Sequence, residues 1–280
     1  MGKNKMASKN LSAQSVLQLN DQQLNYQQLG QGENIVLIHG LFGSLENLNM
    51  VAKKLSQYYC VTSVDVRNHG SSFHQKGMCY ADLAQDVINL LDNLAIESCH
   101  LLGHSMGGKI AMKIALSNSK RVHKLIVADI APVEYPAHHL TIIRGLQALD
   151  LSQIKKRKDA DTQLATYVDN VGVRQFLLRN LSLNEQDQFA FKCNLTNIEQ
   201  GYQEIMKGID INKQNNEQPF SGDTLFIKGG DSDYILPEYQ NTIKALFPRA
   251  KAKIIQRTGH WLHAEKTVAF NKIVLDFLIS

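Results

Sequence analysis

An open, mostly parallel β-sheet covered by helices on both faces and carrying one helical insertion is the fold that the sequence predicts. Two observations predict it. Short apolar runs alternate with helix-period segments over residues 13–130, and again from residue 223 onward. Between those stretches, from Pro132 to about Gln218, strand-like runs vanish and amphipathic helix patterns take over. Runs that are apolar throughout are typical of parallel strands buried on both faces, and strand–helix alternation builds such sheets.

Taken in order, "SVLQLN" and "LNYQQL" flank Asp21 and read as a β-hairpin. "NIVLIHG", "CVTSVDV", "CHLLGHS" and "KLIVADI" follow as buried-strand runs, and "DTLFIKGG" and "AKAKIIQR" bring the expected sheet to eight strands. Helices are expected over "SLENLNMVAKKLSQYY", "YADLAQDVINLLDNLA" and the segment after Ser105. In the second of these, Leu83, Val87, Leu90, Leu91 and Leu94 recur at helical spacing. The insertion offers "HLTIIRGLQAL", "ADTQLATYVDNV", "VRQFLLRNL" and "IEQGYQEIMKGI". Pro237 opens a further helix, and a last one covers roughly 264–279. The expected organisation is a loose tail over 1–11, an α/β core over 12–132 and 219–280, and a helical cap over 133–218. "NKQNNEQP" (212–219) is polar enough to serve as the hinge back into the sheet.

At 280 residues, 44% of them apolar and 20% charged, the chain has the composition of an ordinary soluble globule with a large core. A net charge of +4 is too slight and too dispersed for a nucleic-acid partner. The one compact basic run, Lys155-Lys156-Arg157-Lys158, has Asp159 and Asp161 directly behind it and reads as a solvated helix start rather than an anion-binding patch. Cys60, Cys79, Cys99 and Cys193 show no C-x-x-C spacing, so reduced thiols and a cytoplasmic location are expected. "MGKNKMASKNLSAQ" has no apolar core of a secretory signal, Met6 stands where a myristoylation motif wants Ser or Thr, and no membrane span is expected. No metal-ligand spacing stands out, and neither a metal nor an organic cofactor is expected.

Residues 103–110, "GHSMGGKI", admit two readings. As G-x-S-x-G they are a sharp strand-to-helix turn presenting Ser105 as a nucleophile. As G-x-x-x-x-G-K-[ST] they are a phosphate cradle that fails at Ile110, which has no hydroxyl for a metal ion. A nucleophilic serine needs a base, an acid that orients the base, and N–H donors for the oxyanion. His260, in "TGHWLHAEK" after the last strand, stands where the base belongs. His263 beside it reads as a surface residue of the final helix, and His39 and His104 read as groups that shape glycine turns. The Met106 N–H and one from "HGLFGS" supply the oxyanion donors, with Leu41 first and Phe42 in reserve. The acid is either Asp129, ending "LIVAD", or Asp233, in "GGDSDYILP"; both lie at strand ends beside the nucleophile strand. In "DVRNHGSS", Asp65 and Arg67 read as an ion pair or as turn hydrogen bonds holding a loop, and Lys109 as an ordinary helix residue.

"IHGLFGS", "DVRNHGSS", "GHSMGGK", "ADIAPVEY" and "GHWLHAEK" together closely resemble the α/β-hydrolase superfamily, specifically the YbfF-like esterases and their mitochondrial relatives. The resemblance runs from about residue 22 to the C-terminus and is weak across the insertion. It implies that the Asp opening "DIAP", Asp129, is the triad acid, although most other α/β-hydrolases use the later position held here by Asp233. It also implies carboxylesterase activity on short to medium acyl chains, extending to acyl-CoA hydrolysis; on that extension the 155–158 run would meet CoA phosphates.

The expected function is therefore a serine hydrolase that cleaves small-molecule carboxylic esters or acyl thioesters through Ser105, His260 and an Asp. A catalytically idle ligand-binding protein on the same fold is the alternative, with a P-loop nucleotide binder further behind. Trp261, beside the base, and Phe42 are candidate pocket walls. Ile142, Ile143, Leu146, Phe176, Leu177, Tyr202, Ile205 and Met206 either wall an acyl pocket or pack the insertion onto the sheet, and packing is the default for half or more of them.

Overall fold

The computed structural model describes residues 23–215 and 217–280. The first half of the sheet comprises β1 (Tyr26–Leu29), β2 (Asn34–Ile38), β3 (Cys60–Val64), β4 (Cys99–His104) and β5 (Val122–Ala128). Helices α1 (Asn49–Leu55), α2 (Tyr80–Asn93) and α3 (Met106–Ser117) lie between them. The insertion follows: α4 (Leu140–Gln147), α5 (Arg157–Leu164), α6 (Val171–Leu177), β6 (Leu181–Leu183), β7 (Phe189–Phe191), α7 (Leu195–Gln200) and α8 (Tyr202–Met206). The chain then returns through β8 (Asp223–Gly229), α9 (Gln240–Leu246), β9 (Ala250–Ile255), α10 (Leu262–Glu265) and α11 (Thr267–Ile279).

Seven strands, in the order β1-β3-β2-β4-β5-β8-β9, form the main sheet among the described residues. β1 runs antiparallel to β3, and the other neighbours are parallel. The expected eighth strand, "SVLQLN", and the expected tail over 1–11 lie outside the described residues. Alternation along each strand splits the core in two. Ile35 and Leu37 of β2 join Val51, Leu55, Phe270 and Val274 on the face covered by α1 and α11. Val36 and Ile38 join Leu83, Val87, Ile110 and Ile243 on the opposite face, under α2, α3 and α9. Coverage of both faces explains why the central strand runs are mainly apolar, whereas the edge strand β9, AKAKII, exposes Lys251 and Lys253. Cys99 of β4 is one of the covered positions: burial pushes its thiol up to about 12, and it packs as a small hydrophobe. Among the described residues, no helix is long and apolar enough to cross a membrane.

The insertion departs from expectation in one element. β6 and β7 pair as a short antiparallel hairpin where only helices were foreseen. Strands of three residues carry too little periodicity to register, and the turn between them depends on Asp187 at φ 54°. The basic run behaves as a helix start: Lys155 and Lys156 are exposed, and their N–H groups donate to Asp159 Oδ2 at 3.0 Å each.

The polar link over 212–219 is not a loose hinge. Glu217 is buried, and both of its oxygens accept from Lys113 Nζ on α3, at 2.7 and 2.8 Å. Lys109, one turn earlier, is likewise no ordinary helix residue. It is 1% exposed, donates to the Lys207 and Met206 carbonyls at 2.5 and 3.3 Å, and lies over the Tyr135 and Tyr80 rings. Two lysines four residues apart on α3 thus grip the returning limb of the insertion. Burial pulls the Lys109 ammonium from 10.5 down to about 7, against a weaker opposite pull from Glu134. The folded chain therefore binds fewer protons than the unfolded one from about pH 7 upward, so this site's contribution to stability rises with pH until Lys109 deprotonates in the unfolded chain as well. Relative to Lys109→Met, the wild type is expected to gain about 2 kcal/mol between pH 7 and pH 9. Denaturant unfolding at the two pH values checks this; parallel behaviour of the two proteins would contradict it.

Candidate active site

Five loops at the C-terminal ends of β2, β4, β5, β8 and β9 converge, the place where such sheets bind ligands. Ser105 follows β4 with φ 53° and ψ −122°, a conformation that a non-glycine residue adopts only under constraint. The constraint is visible. Ser105 N–H donates to Ala128 O at 2.9 Å, extending the β4–β5 pairing into the turn. Glycine at 103 lets β4 and α3 close up, since a Cβ there would lie 2.1 Å from Gly107 O, and glycine at 107 lets α3 approach the end of β2, since a Cβ there would lie 2.2 Å from Ile38 O.

His260 bridges two of the predicted residues. Its Nε2 lies 2.9 Å from Ser105 Oγ and its Nδ1 lies 2.8 Å from Asp129 Oδ2. A carboxylate only accepts, so Nδ1 carries the proton and Nε2 is left to accept from the serine hydroxyl. Asp129 is fully buried at φ 52°, and its N–H donates to Ile227 O at 2.8 Å, which continues the β5–β8 ladder. Three donors converge on its carboxylate: the His260 ring, the Gly229 N–H at 2.8 Å and the Ser232 hydroxyl. A buried charge so surrounded is matched rather than stranded. Asp233 is exposed, and its side chain makes no hydrogen bond among the described residues. The loop after β8 does reach the site, but through its neighbours Ser232 and Tyr234.

Other histidines surround His260. His104 Nε2–H donates to the His260 carbonyl at 2.8 Å and fixes the backbone of that loop. His263 is 4% exposed rather than a surface residue, and its ring packs edge-on against His104 at 4.5 Å. Burial, reinforced by the His260 charge, lowers His263 to about 4; burial and both neighbouring rings hold His104 well below its usual range. These two rings are therefore neutral at neutral pH. Tyr234 stacks on the other face of His260, with centroids 4.0 Å apart and planes 24° apart, and its hydroxyl bonds His138 Nε2 at 2.8 Å. Sequence reasoning singled out neither Ser232 nor Tyr234, since nothing in "GGDSDYILP" says which side chain of the loop turns inward.

Met106 is the first residue of α3, so its N–H has no partner within the helix. In the loop after β2, the Phe42 N–H is taken by His69 Nε2 at 3.1 Å, while the Leu41 N–H donates to no protein acceptor among the described residues. Asp65 and Arg67 do not pair with each other. Asp65 accepts from the Leu45 and Ser71 N–H groups at 2.7 and 2.9 Å, and Arg67 grips Asp86 of α2.

A cavity of about 340 Å³ opens over Ser105 and His260. Its walls include Phe42, Leu48, Ile142, Phe176, Leu177 and Trp261, with Phe176 and Trp261 tilted together at 5.2 Å between centroids. Of the other apolar insertion residues named from sequence, Ile205 and Met206 line a much smaller recess on the other side of Ser105, while Ile143, Leu146 and Tyr202 pack in the core. Lys109 borders that recess with its amine bound to carbonyls, so the turn does not present it as a phosphate ligand.

Fold and site together are those of an α/β hydrolase. The family model for the alpha/beta hydrolase fold matches residues 33–267, and the chain belongs to that family. Its relatives include esterases and lipases. Esterase YbfF of Escherichia coli is 36% identical over 87% of this chain and 92% of its own length. The mouse sn-1-specific diacylglycerol lipase ABHD11 is 39% identical over 87% of this chain and 80% of its own. Among solved structures, a marine microorganism esterase superposes with a TM-score of 0.87 at 39% identity, covering 91% of this chain and 99% of that one.

Proposed function

We propose that the chain is a serine carboxylesterase in which Ser105 is the nucleophile, His260 the general base and acid, and Asp129 the orienting acid. The Ser105–His260–Asp129 chain of two hydrogen bonds, at 2.9 and 2.8 Å, is the observation that carries this reading. Ser105 Oγ attacks the ester carbonyl carbon while its proton passes to His260 Nε2. The resulting oxyanion lies against the Leu41 and Met106 N–H groups. Collapse expels the alcohol, which takes the proton from Nε2. Water then repeats the sequence on the acyl-enzyme and frees the acid. The Asp129 carboxylate holds the imidazole in the tautomer that can accept from serine, and it balances the imidazolium formed during each half-reaction. A thiol leaves by the same route, so acyl thioesters fall within the same chemistry.

The cavity supports an apolar acyl group of short to medium length. Its volume of about 340 Å³ lies at the small end of the roughly 300–1,000 Å³ typical of ligand pockets. The insertion, acting as a cap, supplies Ile142, Phe176 and Leu177 to its wall, and Trp261 with Phe176 closes one side. A panel of p-nitrophenyl esters tests the proposal. Butyrate and hexanoate are expected to be hydrolysed with kcat/KM at least about 10-fold above palmitate. No hydrolysis of any ester would favour the ligand-binding alternative, and a preference for palmitate would refute the cavity argument.

A further inference from the structure

The turn after β2 offers two successive amides to the site, and two buried histidines determine which one remains available. The Gly40 carbonyl accepts from His39 Nδ1–H at 2.7 Å and from the Gly43 N–H at 2.9 Å. A trans peptide holds its C=O and N–H on opposite sides. Anchoring the Gly40 oxygen toward His39 therefore aims the N–H of the same peptide, that of Leu41, the opposite way. Gly40 itself lies against the nucleophile: a Cβ there would come within 3.1 Å of Ser105 Cβ.

The next amide is consumed. Phe42 N–H donates to His69 Nε2 at 3.1 Å, and His69 Nδ1 donates in turn to Arg67 O at 2.9 Å. Phe42 sits at φ 58°, a left-handed conformation that a bulky residue holds only when tethered. Its carbonyl is tied as well, accepting from Asn180 Nδ2 of the insertion at 2.6 Å. His39 is clamped in the same way as His69, with its Nε2 accepting the Val66 N–H at 3.0 Å. The two rings lie 5.2 Å apart, both nearly inaccessible to solvent. Burial lowers both, His69 to about 3, where the neighbouring His39 adds to the effect. Each thus remains a neutral Nδ1–H tautomer, the only form in which Nε2 can accept an amide proton.

We propose that His39 and His69 are positioning residues that select the Leu41 N–H as the oxyanion donor, His39 by orienting the Gly40–Leu41 peptide and His69 by withdrawing the Phe42 amide. The proposal rests on the reading of Ser105 as nucleophile. It gives "DVRNHGSS", a motif outside the reacting groups, a definite part in catalysis: its histidine, in the loop after β3, acts on the loop after the neighbouring β2.

The test compares His69→Leu, His69→Asn and His69→Gln in steady-state ester hydrolysis, with a short alkyl trifluoromethyl ketone as a probe whose bound form carries an oxyanion. Gln places an acceptor oxygen near the position of Nε2, whereas Asn is polar but too short to reach the Phe42 amide. His69→Leu and His69→Asn are expected to lower kcat by about 10–100-fold, with KM within about twofold and ketone affinity falling in step with kcat. His69→Gln is expected to stay within about threefold of wild type. If the Leu variant fails to fold, the Asn–Gln pair carries the comparison. Equal losses in Asn and Gln, losses confined to KM, or full activity in the Asn variant while Ser105→Ala is inactive would overturn the proposal. Full activity of Ser105→Ala would instead overturn the nucleophile assignment, and this proposal with it.

Discussion

Ser105→Ala is expected to lower kcat for ester hydrolysis by about 10⁴- to 10⁶-fold while leaving KM and the fold nearly unchanged. The structure explains why so large a chemical effect comes with so small a structural one. Alanine has the same Cβ as serine and meets the same φ of 53°, so the turn carries no added strain. What disappears is Oγ and its hydrogen bond to His260. The Leu41 and Met106 amides and the cavity persist, so the residual rate reports oxyanion stabilisation and binding without a nucleophile. Steady-state kinetics and thermal unfolding of the purified variant check both halves. Retained turnover would remove Ser105 from the mechanism.

Asp129→Asn is expected to cost about 10⁴-fold in kcat, against less than about twofold for Asp233→Asn. The asymmetry follows from donor counting. The Asp129 carboxylate accepts from His260, Gly229 and Ser232 simultaneously. An asparagine has one acceptor oxygen, and its NH₂ group must face at least one of those donors. Where it faces His260, the imidazole is driven to the opposite tautomer, with the proton on Nε2, where it cannot accept from serine. The same mismatch in a buried site is expected to lower stability by about 1–3 kcal/mol. Asp233 is exposed and bonds nothing among the described residues, so its substitution disturbs no partner. Paired kinetics of the two variants decide the matter; equal losses would contradict the assignment.

The strands of the described sheet and the helices between them were legible in the sequence because the central parallel strands are covered on both faces and read as mainly apolar runs. The Ser105–His260 pairing was legible because the turn that carries Ser105 has a steric signature in Gly103 and Gly107, and because His260 stands after the last strand. Asp129 and Asp233 were not separable from position alone. Both follow strands beside the nucleophile strand, and what distinguishes them is side-chain direction, fixed by the φ of Asp129 and by the inward turn of Ser232 one residue before Asp233. Long-range packing hid the rest. Lys109 read as an ordinary helix residue because its carbonyl partners are 97 and 98 residues away. His263 looked exposed because the sequence does not reveal that His104 and Phe270 enclose it.

The most direct measurement is active-site labelling with a fluorophosphonate followed by peptide mapping. A single adduct on Ser105, abolished by prior denaturation and by His260→Ala, is the result the account predicts, because an isolated serine hydroxyl is unreactive without its base. An adduct on another residue, or ester hydrolysis that continues unabated in fully labelled protein, would contradict it.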